Sequence, residues 1–391
     1  MTGERRFDIA LFGATGFTGG LAADYLAAHG PAGLRWALVG RNRAKLEAVA
    51  QRLAASDPQA PAPELLVADA SDRAALDEVV RSTRVVVTTV GPYALHGWTL
   101  VAACAAAGTD YLDLTGEPEF VDRVWLLHDA EARRSGARLI HSCGFDSVPH
   151  DLGAYFTVQR LPEGVPLKVE GFVRTDARFS GGTYHSTINA FGRAGKTMAA
   201  MRERRRLEPR GPRRVHSAPA RVRRQPWLGG WSFPLPTIDP VVIRRSAAAV
   251  ERYGPDFTYG HNLVARRLST GVGLAAAFAG IALLAPIPPA RRLLLKLKDP
   301  GEGPSPERRA RSWFKITFVG EGGGERVVTE VSGGDPGYDE TAKILAESAL
   351  CVAFDELPET AGQVTTVTAM GDAFLTRLQR AGIGFRVLEP A

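Results

Sequence analysis

A chain of 391 residues, 45% of them hydrophobic, exceeds one typical domain and has enough apolar material for two. Its three cysteines are odd in number and widely spaced, which argues against a disulfide framework and favours a reducing, cytoplasmic location. The formal charge of +6 is concentrated in an arginine-rich stretch without aromatic residues at stacking spacing, so we expect no nucleic-acid partner.

From Phe7 to about His150, short β-rich runs alternate with longer helical runs. This alternation predicts an α/β fold with a doubly wound parallel sheet. Several of the predicted helices end at a glycine, as C-terminal helix caps commonly do. The six predicted strands are FDIALFG, LRWALVG, ELLVAD, VVVTTVG, DYLDLTG and ARLIHSCG.

The stretch FGATGFTGG lies between the first predicted strand and the first predicted helix. Here Gly13 allows a tight turn, Gly16 lets the main chain approach a pyrophosphate, and Gly19 permits close packing of helix on sheet. The free amides of the helix N-terminus would bind the phosphates, with Thr15 and Phe17 in the same loop. The pattern predicts a Rossmann-type dinucleotide site, and an ordinary glycine turn is the alternative.

The end of the second strand indicates which dinucleotide binds. A site for NAD usually carries a carboxylate there, whereas this chain has Arg41 and Arg43. Guanidinium groups suit a 2′-phosphate, so NADP(H) is the predicted cofactor, with solvated surface arginines as the alternative. Asp69, at the end of the third strand, could accept a hydrogen bond from the adenine amino group, or simply cap the following helix.

Residues 202–224 form a basic segment that contains ten arginines and only two glutamates. We expect a solvated loop, and docking of an acidic carrier protein or of anionic lipid is the alternative. Residues 268–285 are uncharged and apolar and predict a helix that ends before Pro286. That helix could be buried or lie in a homodimer interface, rest on a membrane or an acyl chain, or, least in keeping with its prolines and alanines, span a bilayer.

The predicted organisation has three parts. Residues 1–150 form the NADP-binding Rossmann domain, and residues 151–360 form an α+β domain for substrate binding or dimerisation. In the latter, VEGFVRT, WFKITFVG and VVTEVSG are predicted strands, with EGGGER as a hairpin turn between the last two. Residues 361–391 supply a closing helix and strand that could pack back on the first domain.

Four further stretches carry a family resemblance: GPYALHG at 91–97, AGTDYLDLTGEPEF at 107–120, SCGFDSVPHDLG at 142–153 and GGTYHSTI at 181–188. Together they resemble the saccharopine dehydrogenase-like oxidoreductases, and within them the bacterial trans-acting enoyl reductases. The resemblance implies a cleft between an NADPH-binding domain and a second α+β domain. It places near the nicotinamide two loop segments, which contain Gly91, Pro92 and Tyr93, and Cys143, Gly144, Phe145, Asp146 and Ser147.

Several residues near these motifs are candidates for the chemistry. Tyr93 and Tyr184 could donate a hydrogen bond or a proton, and His96 could relay protons, although each has an ordinary structural alternative. Thr183 and Ser186 could bind a substrate carbonyl oxygen. The histidines are scattered along the chain, so we expect no metal site.

The resemblance implies an NADPH-dependent enoyl reductase that reduces a C=C bond of a lipid or polyketide acyl thioester, on a carrier protein or free. One alternative is a saccharopine-type oxidoreductase that acts on a C–N bond of an imine or amino acid. The other is an NADPH-binding protein of lipid surfaces or a scaffold without turnover.

Overall fold

The computed structural model describes residues 5–176, 181–209, 211–297 and 304–388. Two β-sheets organise this part of the chain, and helices cover them. Numbered along the chain, the strands are β1 (Phe7–Phe12), β2 (Trp36–Gly40), β3 (Glu64–Val67), β4 (Thr83–Thr88), β5 (Asp110–Asp113), β6 (Arg138–Ile140), β7 (Leu167–Thr175), β8 (Arg214–Ser217), β9 (Arg223–Gln225), β10 (Gly230–Pro234), β11 (Asp256–Ala265), β12 (Phe314–Gly322), β13 (Glu325–Gly333), β14 (Gly362–Val364) and β15 (Gly384–Leu388).

The α-helices of the described residues are numbered in the same way. They are α1 (Phe17–His29), α2 (Arg43–Ser56), α3 (Arg73–Ser82), α4 (Tyr93–His96), α5 (Trp98–Ala107), α6 (Pro118–Ser135), α7 (Val148–Val158), α8 (Gly181–Gly192), α9 (Ala194–Leu207), α10 (Asp239–Ala249), α11 (Leu268–Leu284), α12 (Pro288–Leu295), α13 (Pro306–Arg309), α14 (Asp339–Phe354) and α15 (Thr366–Arg380).

The first sheet is parallel and has the strand order β14-β6-β5-β4-β1-β2-β3. All six residues of β1 are buried, because helices cover both faces of a doubly wound sheet. The six predicted strands are therefore confirmed, and so is the predicted Rossmann-type α/β class. The seventh strand, β14, comes from the C-terminal part of the chain and pairs with β6.

The second sheet is mixed and has the order β15-β13-β12-β7-β11-β10-β9, with β8 beside β11. Strand β7 runs parallel to β11 and antiparallel to β12. The predicted hairpin is present as β12 and β13, and its turn contains Gly323 and Gly324 with φ of 59° and 84°. Helices α7 and α10 pack on this sheet. We call the first sheet with its helices the first layer, and the second sheet with its helices the second layer.

Near its C-terminus, the chain returns to the first sheet. Helix α14 packs against α1 and against β4 and β5, and its buried face runs from Ala342 to Ala353. Thus α14, predicted as part of the second domain, lies on the first sheet, while β15 joins the second sheet. Elements that are distant along the chain therefore build each layer jointly.

The predicted basic loop differs from the structure. Residues up to Leu207 continue α9, and β8 and β9 follow. Arg204 is buried. Its guanidinium donates hydrogen bonds to Asp122, Glu208 and Gln363 at 3.3, 2.7 and 2.6 Å, and these partners compensate its charge. A count of nearby acidic residues in the sequence could not reveal these partners, because Asp122 lies in α6 and Gln363 in β14.

Helix α11 is mostly exposed, so of the alternatives that its sequence left open, burial in the core does not hold. Its only buried residue is Gly271, which lies against the Phe233 ring of β10. Within the described ranges, every helix falls short of the combined length and apolarity that a bilayer crossing requires.

Candidate functional site

The strand order of the first sheet changes direction at β1, which lies between β4 and β2. Ligands of open α/β sheets bind at such a point, beside the carboxyl ends of the strands. The loops after β1 and β4 meet here. Gly13 has φ of 89°, and a Cβ on it would lie 2.5 Å from the Thr89 hydroxyl. A Cβ on Gly19 would lie 2.1 Å from the Gly13 carbonyl oxygen, so both positions require glycine.

Gly16 differs from these two glycines because its open side faces solvent. It has φ of −86°, and among the described residues that are not its chain neighbours, only the Gly13 carbonyl oxygen, at 3.3 Å, would lie within 4 Å of a Cβ on it. It caps α1 without a side-chain hydrogen bond, and the first turn of α1 has no acidic residue. Thr15 and Gly16 are exposed. The N-terminus of α1 can therefore bind phosphate groups, which is the fit that a dinucleotide requires.

Phe17 is the first residue of α1, and its side chain contacts residues outside the phosphate-binding loop. Its ring contacts the Tyr338 ring edge-on at 4.8 Å, and the Arg309 guanidinium lies 5.4 Å from its centroid. Phe17 therefore joins the phosphate loop to the segment that precedes α14.

The two arginines after β2 are both exposed, but their contacts differ. Arg43 pairs with Glu47 on the next turn of α2 at 2.9 Å. Arg41 is 79% exposed, and its guanidinium lies 3.9 Å from Asp69. Arg41 therefore has more freedom to bind a phosphate group at this edge.

Asp69 accepts hydrogen bonds from the amide and hydroxyl of Ser71 at 2.8 and 2.6 Å. These bonds lower the pKa of its carboxyl, and Arg41 and His96 add to the effect. The cap of α3 is Asp72, so Asp69 is not the helix cap that the sequence offered as an alternative. His96 is exposed and lies on the side of Asp69 and Arg41, where the adenosine part of a dinucleotide would bind, which does not favour its predicted role in proton relay.

Two buried carboxylates connect the loops after β4, β5 and β6. Glu117 accepts from the amides of Tyr93 and Ala94 at 2.9 and 3.0 Å. Asp113 accepts from the Ser142 amide at 3.0 Å and lies 2.6 Å from Nδ1 of His141. These bonds hold the loops at the carboxyl edge in one arrangement.

Tyr93 is buried between these loops. Its hydroxyl donates to the Thr88 carbonyl oxygen and accepts from the Leu114 amide, both at 3.1 Å. Burial raises the pKa of Tyr93 well above its usual value. These contacts favour a structural role for Tyr93 over the predicted role of proton donor. The neighbouring Gly91 is exposed and Pro92 partly so, and both stay candidates for contact with the cofactor.

The loop after β6 turns toward the second sheet. Cys143 is buried, its thiol donates to the Ile140 carbonyl oxygen at 3.4 Å, and burial raises its pKa. A Cβ on Gly144 would lie 2.7 Å from the Leu114 side chain. The Phe145 amide donates to Thr341, and its ring packs edge-on against Phe314 of β12 at 4.8 Å. Cys143, Gly144 and Phe145 thus shape the loop chiefly by packing.

Asp146 has a different environment from its neighbours in the loop. Its side chain is accessible to solvent, yet protein surrounds it densely enough to reduce its hydration. This desolvation, with the nearby Asp239 carboxylate, raises the pKa of Asp146 to about 7. A Cβ on Gly116, in the loop after β5, would lie 3.9 Å from its carboxylate. A carboxyl group that is accessible and poorly hydrated is typical of a functional site.

Behind Asp146 lies a buried polar cluster formed by His150 of α7, Asp239 of α10 and His261 of β11. Nδ1 of His150 and Nε2 of His261 lie 3.1 and 3.6 Å from the Asp239 carboxylate, without hydrogen-bond geometry. Burial lowers the pKa of the two imidazoles to about 3 and about 4 and raises the pKa of Asp239. The imidazoles are therefore neutral at pH 7.

The sequence predicted no metal site because its histidines are scattered. The fold nevertheless brings the ligand atoms of His150, Asp239 and His261 within 4.8 Å of one another. The argument from spacing therefore does not hold. Neutral imidazoles and a carboxylate can share a proton or bind a divalent cation.

The remaining predicted residues lie in α8. Tyr184 donates from its hydroxyl to the Leu294 carbonyl oxygen of α12 at 3.0 Å, so it connects two helices of the second layer. The side chains of Thr183 and Ser186 lie outside the described part of the structure.

The sequence reasoning missed Asp239 and His261. Asp239 starts a helix directly before a proline, and His261 sits inside a β-run, so each has an ordinary local explanation. Only their position beside His150 and Asp146 distinguishes them.

The saccharopine dehydrogenase NADP-binding domain matches residues 9–139. A protein of Mycobacterium tuberculosis that carries the name trans-acting enoyl reductase provisionally is 37% identical over 99% of both chains. Trans-acting enoyl reductases of Mycobacterium bovis and Mycobacterium ulcerans are 35% and 34% identical over 97% of both chains.

A solved structure shows the same fold. The saccharopine dehydrogenase (L-Glu forming) of Saccharomyces cerevisiae has a TM-score of 0.55 and 12% identity, and the match covers 97% of this chain and 99% of the other. The glycine cradle, formed by Gly13, Gly16 and Gly19, fits a dinucleotide, and the match to an NADP-binding domain identifies this dinucleotide as NADP(H). The protein is an NADP-dependent oxidoreductase. By its full-length relatives, the chain belongs to the saccharopine dehydrogenase-like oxidoreductases, in the group that contains the trans-acting enoyl reductases.

Proposed function

We propose that the protein is an enoyl reductase that reduces the C=C bond of a lipid or polyketide acyl thioester with NADPH. The observation that carries this proposal is the dinucleotide cradle at the carboxyl edge of the first sheet, and Asp146, an accessible carboxyl group whose pKa is raised to about 7, lies on the same edge. The names of the full-length relatives support the type of reaction. When bound, NADPH supplies a hydride for the β-carbon of the substrate.

The residues of the chain have two tasks in this mechanism. The amides around Gly16 bind the pyrophosphate, and Arg41 binds the 2′-phosphate. Asp146 donates its proton to the α-carbon, where negative charge develops as the β-carbon is reduced, and then regains a proton from water. A group with a pKa near 7 suits this task, because it is protonated often enough to act and acidic enough to transfer its proton.

Asp239 acts on Asp146 through its charge. Its carboxylate is close enough to raise the pKa of Asp146, and the buried imidazoles of His150 and His261 flank it without adding positive charge at pH 7. We propose Asp239 as a positioning residue that keeps Asp146 partly protonated.

We further propose that the substrate is held by another protein. The relatives are called trans-acting, a term for an enzyme that works on a substrate carried elsewhere. An acyl chain on a carrier protein would reach Asp146 from solvent, because the Asp146 side chain is exposed.

The test is oxidation of NADPH by the full chain with short enoyl thioesters, with wild type and the Asp146→Asn variant. We expect NADPH oxidation with enoyl thioesters and a fall in kcat of about 10²-fold or more in the variant, with unchanged NADPH affinity. Asp57→Asn, a change of an exposed residue beyond α2, is the matched control and should keep full activity.

Two outcomes would contradict the proposed reaction, and a third would contradict the role proposed for Asp146. NADPH oxidation with an imine, or NADP⁺ reduction with an amino acid, but no turnover of enoyl thioesters, would favour a saccharopine-type reaction. Cofactor binding without turnover of any substrate would favour a scaffold. Full activity of Asp146→Asn would leave the reaction in place but remove Asp146 as the proton donor.

A further inference from the structure

Helices α11 and α12 expose an unusual amount of apolar surface. Of the nineteen large hydrophobic residues that are exposed in the described structure, eight lie between residues 268 and 297. Leu283 and Leu293 are 75% and 65% exposed. We call this surface the α11–α12 face, and its exposed apolar residues are Leu268, Val272, Leu274, Leu283, Leu284, Ile287, Leu293 and Leu297. A patch of this kind on a water-soluble domain marks an interaction site.

The face is held firmly on the second layer. Gly271 lies against Phe233 so closely that a Cβ on it would be 1.9 Å from the ring. Helix α8 packs against both α11 and α12, and Tyr184 bonds to the α12 backbone. The exposed leucines are therefore presented by fixed helices and are not part of a loosely attached segment.

Basic residues border the apolar surface. Between residues 257 and 298 the chain contains six lysines and arginines and no aspartate or glutamate. Those in the described structure are Arg266, Arg267, Arg291, Arg292 and Lys296, and they form no ion pair with described residues. An apolar surface bordered by basic residues complements the interface of a membrane that contains anionic phospholipid.

We propose that the α11–α12 face binds the surface of an anionic phospholipid membrane, with its leucines inserted among the acyl chains and its arginines at the headgroups. The helices lie on the membrane and do not cross it, since α11 has 17 residues and spans about 26 Å, less than a hydrocarbon core of about 30 Å. Binding of a second copy of the chain to this face is less favourable, because the basic residues of the two copies would repel one another.

The experiment is flotation of the purified full chain with vesicles of phosphatidylcholine, with and without phosphatidylglycerol. We expect the chain to float with the anionic vesicles, and to float less when salt is raised to about 1 M, where the screening length falls to about 3 Å. The double variant Leu283→Gln/Leu293→Gln should weaken binding about tenfold or more, because two inserted side chains are lost. Arg266→Gln/Arg292→Gln should remove the preference for anionic vesicles.

The matched control is Leu127→Gln, which changes a leucine of α6 that is 62% exposed and lies in the first layer. It should float like wild type. All these positions are exposed, so the variants should fold, and circular dichroism would verify this. The proposal is overturned if the wild-type chain stays unbound in the presence of anionic vesicles, or if Leu127→Gln reduces binding equally. A wild-type dimer that Leu283→Gln/Leu293→Gln dissociates would overturn it in favour of a second copy.

Discussion

The choice of NADPH over NADH depends on Arg41. Its side chain is 79% exposed, and its guanidinium lies 3.9 Å from the Asp69 carboxylate. An exposed pair of this kind contributes about 0–1 kcal/mol, so Arg41 can turn to a phosphate at little cost. A hydrogen bond to a charged group contributes about 1.5–3 kcal/mol, and the exposure of Arg41 places the expected value near the lower end.

Arg41→Ala should therefore raise the Kd for NADPH about tenfold and leave the Kd for NADH nearly unchanged. Cofactor fluorescence titration measures both constants on the same preparation. Arg134→Ala, a change of an equally exposed arginine on α6, is the control and should change neither. Equal weakening of both cofactors by Arg41→Ala would refute the assignment of the 2′-phosphate to this residue.

Further predictions concern the glycine cradle, the acid and the buried arginine. Gly16→Val should abolish dinucleotide binding and lower Tm less than Gly19→Ala, because the Cβ would lie 3.3 Å from the Gly13 carbonyl oxygen at position 16 but 2.1 Å from it at position 19; calorimetry and cofactor titration separate the two effects. With the protonated form of Asp146 as the acid, kcat should fall as pH rises above about 7, and Asp239→Asn should move this inflection to lower pH; an unchanged profile would contradict the coupling. Arg204→Ala should lower the free energy of unfolding in urea by about 1–3 kcal/mol, because the buried Asp122 loses one of its two guanidinium partners and keeps only Arg245.

The first sheet could be predicted from the sequence almost strand by strand. Parallel strands that are buried on both faces appear as continuous apolar runs, and the helices between them carry glycine or polar caps, so local signals suffice. The glycine cradle was predictable for a related reason. The backbone at Gly13 and the packing at Gly19 exclude any side chain, and that restriction is visible in the residue types themselves.

Other features depended on residues that are distant along the chain. The basic segment was expected to be a loop because few acids lie near it in sequence, but Asp122 and Gln363 reach Arg204 from α6 and β14. For helix α11 the sequence left burial, a dimer interface and a lipid surface open, because apolar composition alone does not distinguish a core helix from one that faces outward. The roles predicted for Tyr93 and Tyr184 depended on free hydroxyl groups, and in the structure both hydroxyls are bonded to backbone.

By itself, the sequence determined that a parallel α/β sheet begins with a phosphate-binding turn and that arginines follow its second strand. These properties follow from backbone conformation and burial, which each short stretch carries within itself. Tertiary structure alone decided that Asp146, Asp239 and the two histidines share one region and that α11 faces outward. Desolvation and the charge of a neighbour set the pKa of a carboxyl group, and both arise only when separate elements pack together.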